Sequence, residues 1–159
     1  MSWRGNTTVV DRICAALPYA LILFDGLPFS ESILRVVPLL QVILAPIILP
    51  VIVLYQSLPF GSLIIFFGLY FLVVRNDRVS HFIRFNTMQA LLITIILFLV
   101  QLVFGLLPAV GALAFVVTAL KTSVFLAVLT VFIYSVVQCF RGEYADLPSI
   151  SEAVYLQVP

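Results

Sequence analysis

The chain has 159 residues and a formal net charge of +1, from eight Lys and Arg and seven Asp and Glu, with one His taken as neutral. Hydrophobic residues account for 64% of it and charged residues for 9%, whereas about a quarter of the residues in a soluble domain are charged. This composition excludes a water-soluble globule and predicts a single all-α integral membrane domain over residues 1–159, with no basic surface for nucleic acid.

Five apolar stretches follow one another along the chain. A spanning helix needs about 20 predominantly apolar residues, and about 17 can suffice. Pro38, Pro46 and Pro50 interrupt the second stretch, and a proline inside a helix frees a backbone carbonyl that hydrocarbon cannot solvate. The stretches cover residues 12–27, 36–55, 58–74, 87–107 and 112–139, and a polar tail occupies residues 141–159.

The arginines indicate how many of these stretches cross the membrane. Cytoplasmic loops of membrane proteins carry an excess of Lys and Arg. If two spans precede Arg75 and two follow it, six arginines share one side and Arg35 falls on the other. We therefore predict four spanning helices with both termini cytoplasmic or stromal, so that either the first or the second stretch does not cross. The six arginines are Arg4, Arg12, Arg75, Arg78, Arg84 and Arg141.

Polar side chains form a stripe along each of the last two apolar stretches. Because polar residues at helical spacing hydrogen-bond between membrane helices, we expect the two stripes to pack against each other. The alternative is a polar lining for a path or a contact for a partner. Lys121 either extends to the nearer surface or faces a polar cavity or partner. The stripe residues are Gln89, Thr94 and Gln101 in the fourth stretch and Thr130, Tyr134 and Gln138 in the fifth.

The residue inventory argues against an enzyme. The chain has one His, and it lacks the H-E-x-x-H and G-x-S-x-G motifs, a Gly-rich phosphate loop and paired carboxylates at a membrane face. Cys14 and Cys139 lie far apart in apolar surroundings, without the spacing of metal ligands. We expect no catalytic residue, metal or cofactor.

The N-terminal residues MSWRGNTTVVDR differ from a secretory signal, which has a basic start, an apolar core and a small-residue cleavage site. They also differ from a long transit peptide rich in Ser and Arg. We therefore expect insertion from the compartment in which the protein is made, which favours a bacterial or plastid-encoded origin.

The segment RVSHFIRFNTMQA, residues 78–90, concentrates cationic, aromatic and amide side chains in an otherwise apolar chain. We call it the basic–aromatic segment. Ser80 can cap a helix that starts near His81, and basic and aromatic side chains at such a helix start lie at the membrane–water interface. We predict that it docks a partner subunit or anionic lipid. The docking residues are Arg78, His81, Phe82, Arg84, Phe85 and Asn86.

Four blocks of the chain have distinctive sequences, and together they cover most of its length. They read DRICAALPYALILFDGLPF, SLPFGSLIIFFGLYFLVVRN, VVRNDRVSHFIRFNTMQA and RGEYADLPSISEAVYLQVP, in that order. These blocks closely resemble the twenty-kilodalton subunit family of the translocon at the inner envelope of chloroplasts, and its cyanobacterial and plastid-encoded relatives. The resemblance implies a four-helix membrane protein with both termini in the stroma. In it, residues 12–27, 58–74, 87–107 and 112–139 cross, and residues 36–55 form a re-entrant or interfacial segment.

The resemblance implies a non-enzymatic subunit that acts in protein translocation or membrane-complex assembly, through helix packing and a docking motif. Two alternatives stay open at this point: an oligomeric channel or transporter for ions or small solutes, and a structural or assembly factor of a larger membrane complex. Expected partners are other membrane subunits, lipid and a translocating polypeptide. The expected location is a cyanobacterial plasma or thylakoid membrane, or the plastid inner envelope.

Overall fold

The computed structural model describes residues 7–108, 110–148 and 150–158, so that Arg4 lies outside the described residues. Within these residues the chain forms helices and turns without a strand, and four helices are long and apolar enough to cross a membrane. The predicted all-α membrane fold is thereby confirmed. The helices are α1 (Val9–Ala16), α2 (Tyr19–Gly26), α3 (Glu31–Val36), α4 (Pro38–Gln56), α5 (Gly61–Leu69), α6 (His81–Leu106), α7 (Ala112–Arg141) and α8 (Ile150–Gln157), with a 3₁₀ turn at Leu27–Phe29 and a π-helical turn at Tyr70–Val74.

Local sequence explains where the main helices begin and end. Thr8 caps α1 in a capping box, in which its hydroxyl accepts from the Asp11 backbone N–H and the Asp11 carboxylate accepts from the Thr8 N–H. Ser80 caps α6 by accepting a hydrogen bond from the Ile83 N–H, as predicted. Gly142 ends α7 in the left-handed conformation, with φ of 75°, which glycine adopts without steric cost.

The first span lies at the centre of the bundle. It comprises α1, α2 and the 3₁₀ turn, and it packs against α6 on one side and α7 on the other. Tyr19, Ile22 and Leu23 are fully buried there together with Phe125 of α7. The expectation that the polar stripes of α6 and α7 pack against each other is wrong, because both helices pack chiefly against the first span.

One end of the bundle gathers three chain segments that are far apart in sequence. The Arg12 guanidinium donates to the Phe140 carbonyl at 3.2 Å, which joins the start of α1 to the end of α7. The Ser80 hydroxyl donates to the Asp11 carboxylate at 3.4 Å, which joins the start of α6 to the same place. We call this the basic end. At the distal end, the Phe29 ring packs against that of Phe104, with centroids 5.7 Å apart.

The proline-rich helix α4 crosses the first span at an angle. Its N-terminal end follows α3, which packs against the 3₁₀ turn at the distal end. An antiparallel helix of 19 residues would extend about 28 Å and place Tyr55 near the start of α1. Instead, the ring centroid of Tyr55 lies 4.5 Å from that of Phe24, in the last turns of α2. Both ends of α4 therefore lie in the distal half of the bundle.

Residues 61–74 carry the chain back to the basic end. They form α5 and the π-helical turn, and the Val74 carbonyl at their end accepts a hydrogen bond from Arg84 of α6 at 2.9 Å. By length, α4 is one of the four helices able to span, and residues 61–74 form a shorter apolar helix. The sequence predicts instead that residues 58–74 cross and residues 36–55 do not. Which of the two segments crosses the membrane stays a prediction.

Gly61, the first residue of α5, packs closely against the Tyr55 backbone in α4, and its replacement tests this contact between the two helices. A Cβ added to Gly61 would collide with the Tyr55 backbone carbonyl, whereas a Cβ on Gly68 of the same helix would meet nothing within 4 Å. We expect Gly61→Ala to lower the free energy of unfolding by about 1–3 kcal/mol, since backbone must move. Gly68→Ala, the matched control, should be neutral or stabilising by up to about 1 kcal/mol. Thermal unfolding in detergent measures both, and equal effects would contradict the proposed contact.

Candidate functional site

The basic–aromatic segment includes the first turns of α6, and its side chains form hydrogen bonds to several other parts of the described chain. Its side chains contact the first span, the end of α7 and residues 143–148 and 150–158, which we call the C-terminal segment. This segment includes α8 and folds back over the start of α6. The region where these parts meet, the junction, is the candidate functional site.

Asn86 links three helices at the centre of the junction. Its side chain is fully buried, and its amide oxygen accepts hydrogen bonds from the Tyr19 hydroxyl at 3.0 Å and the Cys139 thiol at 3.3 Å. Its amide nitrogen donates to the Phe82 carbonyl of its own helix at 2.8 Å. The two partners come from α2 and α7, so one carboxamide fixes both helices against α6.

Gln89 attaches the C-terminal segment to α6. It is fully buried one turn below Asn86, and its amide nitrogen donates to the Ala145 carbonyl at 2.8 Å. Its amide oxygen accepts from the Ser151 hydroxyl at 3.2 Å, and that hydroxyl in turn accepts from the Leu147 N–H at 2.7 Å. A buried amide with both ends bonded holds its partners firmly, because an unpaired buried amide is costly.

His81 makes a second attachment of the C-terminal segment. Its Nε2 lies 3.3 Å from the Val158 carbonyl, which can only accept, so Nε2 carries the hydrogen. In the neutral ring, Nδ1 accepts from the Tyr144 hydroxyl at 3.0 Å. Burial raises the pKa of Tyr144, which keeps that hydroxyl protonated as a donor. The Tyr144 ring also packs edge-on against Phe82 and Phe85.

Helix α8 covers the junction, with one face against α6 and the other face outward. Burial and the nearby Asp146 carboxylate raise the pKa of Tyr155 to about 12, and its hydroxyl donates to Asp146 Oδ1 at 3.1 Å. Val154 is buried against α6, while Leu156 is 85% exposed. The segment therefore covers the start of α6 and presents a new apolar side chain to the outside.

The structure gives most of the predicted docking residues a partner within the chain. The Arg84 side chain is 11% exposed, donates to the Val74 carbonyl and lies 3.2 Å from the Asp77 carboxylate. Arg78 is exposed. Docking of another molecule stays a prediction, but His81, Phe82, Arg84, Phe85 and Asn86 already bind the chain's own C-terminal segment, loops and helices.

The predicted polar faces lie in separate surroundings. In α6, Gln89 joins the junction, Thr94 is half-buried and Gln101 is exposed. The ammonium of Lys121 lies 6.0 Å from the Phe104 ring centroid, which is the outer limit of a cation–π contact. Three residues of α7 bond locally or to the C-terminal segment: Thr130 donates to the Leu126 carbonyl, Tyr134 to the Asp146 carbonyl and Gln138 to the Tyr134 hydroxyl. These residues do not form one continuous polar face.

Sequence reasoning missed the partners of these side chains. The sequence places Cys139 in apolar surroundings and Tyr144 and Ser151 in the polar tail, and it predicts no role for Tyr19. Their roles depend on contacts between residues more than 50 positions apart, for which the local sequence carries no signal. Among the residues that the structure describes, no group of three His, Cys, Asp or Glu is placed to hold a metal ion.

Comparison with known proteins identifies one matching family and several similar sequences. Residues 8–154 match the family described as chloroplast import apparatus Tic20-like. A Tic20 family protein of Synechocystis sp. is 42% identical over 150 residues, covering 93% of this chain and 92% of the relative. Protein TIC 20-v, chloroplastic, of Arabidopsis thaliana is 36% identical, with coverage of 98% and 75%. The Tic20 family protein Ycf60 of Pyropia yezoensis is 34% identical, with coverage of 98% and 79%.

Gln89→Leu tests whether the C-terminal segment is held by the junction. The substitution preserves size but removes the bonds to Ala145 and Ser151. We expect amide hydrogen exchange in residues 150–158 to quicken about tenfold, since a buried hydrogen bond contributes about 1 kcal/mol or more. Gln101→Leu, on the exposed part of the same helix, should leave this exchange unchanged. Unchanged exchange in Gln89→Leu, or an equal increase throughout α6, would refute local attachment.

Proposed function

The chain belongs to the Tic20 family, and we propose that it acts as a non-enzymatic membrane subunit of a protein-translocation apparatus. The family match over residues 8–154 carries the proposal, because the family is described by its place in the chloroplast import apparatus. Relatives named Tic20 family protein occur in Synechocystis sp. and Pyropia yezoensis, and Arabidopsis thaliana has Protein TIC 20-v, chloroplastic.

The exposed surface of the bundle supports a role as a subunit. Large apolar side chains on the outer faces of α6 and α7 are exposed, among them Phe98, Leu102, Phe115 and Ile133. In a membrane such faces contact lipid or the helices of neighbouring subunits. Few spans are available to enclose a pore wide enough for a polypeptide, so a translocation path would be formed together with other subunits or copies.

We propose the outer face of α8 as the contact for another subunit at the basic end. The basic–aromatic segment positions α8, and Leu156 and Tyr155 stand exposed on its outer side. Exposed aromatic and apolar side chains beside a polar rim are typical of protein–protein contacts. The sequence predicts this contact at the basic–aromatic segment itself, which in the structure packs beneath α8.

A solute channel has less support from the described residues. Thr122 and Thr130 of α7 donate back to carbonyls of their own helix, and Asn86 and Gln89 of α6 are fully buried and bonded. The two buried amides are therefore closed to a passing solute, and the two threonine hydroxyls already use their donors within α7. An assembly factor without a transport role would use the same α8 surface, and the partners recovered with the chain would distinguish it from a translocation subunit.

We infer that an even number of segments crosses the membrane, with both ends of the described chain on the cytoplasmic or stromal side. The contact between Arg12 and the Phe140 carbonyl supports this inference, since residues in contact lie on one side. An even count requires that either α4 or residues 61–74 does not cross. The oblique course of α4, with both ends in the distal half, favours crossing by residues 61–74.

Cysteine labelling distinguishes the two topologies. Three variants, Arg35→Cys, Ser57→Cys and Arg78→Cys, are each made in a Cys14→Ser, Cys139→Ser background, so that each carries a single cysteine. Sealed membranes that contain one variant are then treated with an impermeant maleimide. If residues 61–74 cross, Ser57→Cys labels from the same side as Arg35→Cys, and Arg78→Cys labels from the opposite side. Ser57→Cys labelling with Arg78→Cys would mean that α4 crosses instead. Labelling of Arg35→Cys and Arg78→Cys from one side would refute the even count.

Co-purification tests the proposed function and the α8 contact together. The tagged full chain is isolated in mild detergent from native membranes that contain a precursor arrested during translocation. We expect other membrane subunits and the precursor to be recovered with it, and Leu156→Asp to reduce subunit recovery about tenfold, since a buried charge without a partner is costly. Glu152→Gln on the same helix is the control. Recovery of the chain without precursor, together with ion or solute flux in liposomes, would favour a channel and overturn the proposal.

A further inference from the structure

An apolar cleft opens between the first span, α4, α5 and the start of α6. It has a volume of about 820 Å³, and its lining is almost entirely aliphatic. Leu21, Pro50, Leu69 and Ile83 represent the four walls. From this cleft and the charges beside it, we propose that the chain binds an anionic phospholipid, with an acyl chain in the cleft and the phosphate at Arg75 and Arg78.

Two cations stand beside the cleft at the basic end. Val73 and Val79 line the cleft, and the turn that joins them carries Arg75 and Arg78, both exposed. Neither arginine forms an ion pair with the residues that the structure describes, while Arg84 of the same region pairs with Asp77. Exposed arginines next to an apolar surface at the membrane interface attract anionic headgroups.

The acids near this turn are already engaged. The Asp77 carboxylate faces Arg84, and the Asp11 carboxylate accepts hydrogen bonds from Thr8 and Ser80. Arg12 donates to Thr7 and to the Phe140 carbonyl on the other side of α1. The positive charge of Arg75 and Arg78 is therefore left for a ligand outside the described chain.

Thr87 supplies a polar group at the depth that a phospholipid requires. It lines the cleft, is fully buried, and its hydroxyl has no hydrogen-bond partner among the described residues. Thr87 follows the first residue of α6 by six positions, which corresponds to about 9 Å along the axis. The headgroup region of one leaflet is roughly 5–7 Å thick. With the start of α6 at its outer edge, the Thr87 hydroxyl would lie near the ester carbonyls of a lipid in the cleft and could donate to one.

The size of the cleft favours an acyl chain over a peptide helix. A helix with side chains has a diameter of about 10–12 Å, so 820 Å³ would hold only about 7–10 Å of it, less than two turns. An acyl chain is thinner and follows an irregular aliphatic surface without unsatisfied backbone groups. A second copy of the chain would also have to present a protrusion of this shape.

Native mass spectrometry of the purified full chain tests the site. Dioleoylphosphatidylglycerol or dioleoylphosphatidylcholine is titrated into the detergent solution, and the lipid-bound fraction is measured. We expect phosphatidylglycerol to reach half-saturation at about one-tenth of the phosphatidylcholine concentration. Arg75→Gln with Arg78→Gln should abolish this preference, whereas Arg35→Gln at the distal end should preserve it.

A second variant tests the acyl-chain position. Ala20 lines the cleft, and Ala20→Phe should fill it and reduce binding of both lipids at least fivefold, while Ala127→Phe on the exposed face of α7 should not. Thermal unfolding of both variants verifies that they fold. Equal binding of the two lipids by the wild type would overturn the phosphate site. Unchanged lipid binding by a folded Ala20→Phe variant would overturn the cleft site. If the oligomeric mass of Ala20→Phe changed while lipid binding did not, the cleft would be assigned to a second copy of the chain. The result is independent of whether the chain translocates proteins.

Discussion

The carboxamide of Asn86 is the interaction on which the arrangement of the bundle depends. Within a bilayer, burial of apolar surface does not drive helices together, because lipid tails are as apolar as leucine. Polar links and close packing therefore decide which helices meet and at what depth. Asn86 accepts from Tyr19 of α2 and from Cys139 of α7, and each donor would otherwise lie unsatisfied in an apolar interior. One amide thus fixes the relative height of three spans.

The relative position of these three helices along the bundle axis determines where the chain goes after α7. With α7 fixed against the first span, its last turn reaches Arg12, and Gly142 can reverse the chain in a left-handed turn. A Cβ on Gly142 would displace the Thr7 hydroxyl and the Arg12 guanidinium, and the positive φ also favours glycine there. The reversal directs the C-terminal segment over α6, where Gln89 and His81 bind it.

The sequence predicted what depends on neighbouring residues. The membrane class, the helical fold, the Ser80 cap and the concentration of polar groups at the start of α6 follow from composition, spacing and local hydrogen bonding. The identity of the partners does not, because a basic, aromatic and amide-rich helix start is equally suited to another subunit, to lipid or to its own tail. The link from Gln89 to Ala145 crosses 56 positions, and such a contact exists only once the fold is formed.

The proline-rich helix shows where a local rule gave an incomplete answer. Pro46 and Pro50 predicted a break, since each removes a hydrogen bond to the carbonyl four residues earlier, yet α4 is continuous through both. The freed carbonyls of Val42 and Pro46 must find water or another donor, which a helix crossing obliquely toward the interface can reach more easily than one across hydrocarbon. The segment that follows, with nine residues in α5 and five in the π-helical turn, extends about 21 Å, less than a hydrocarbon core of about 30 Å. If residues 61–74 cross, so short a span beside an oblique helix requires local thinning of the bilayer or filling of the space between them. The apolar cleft lies in that space, so the irregular course of α4 and the lipid site proposed there have one physical origin.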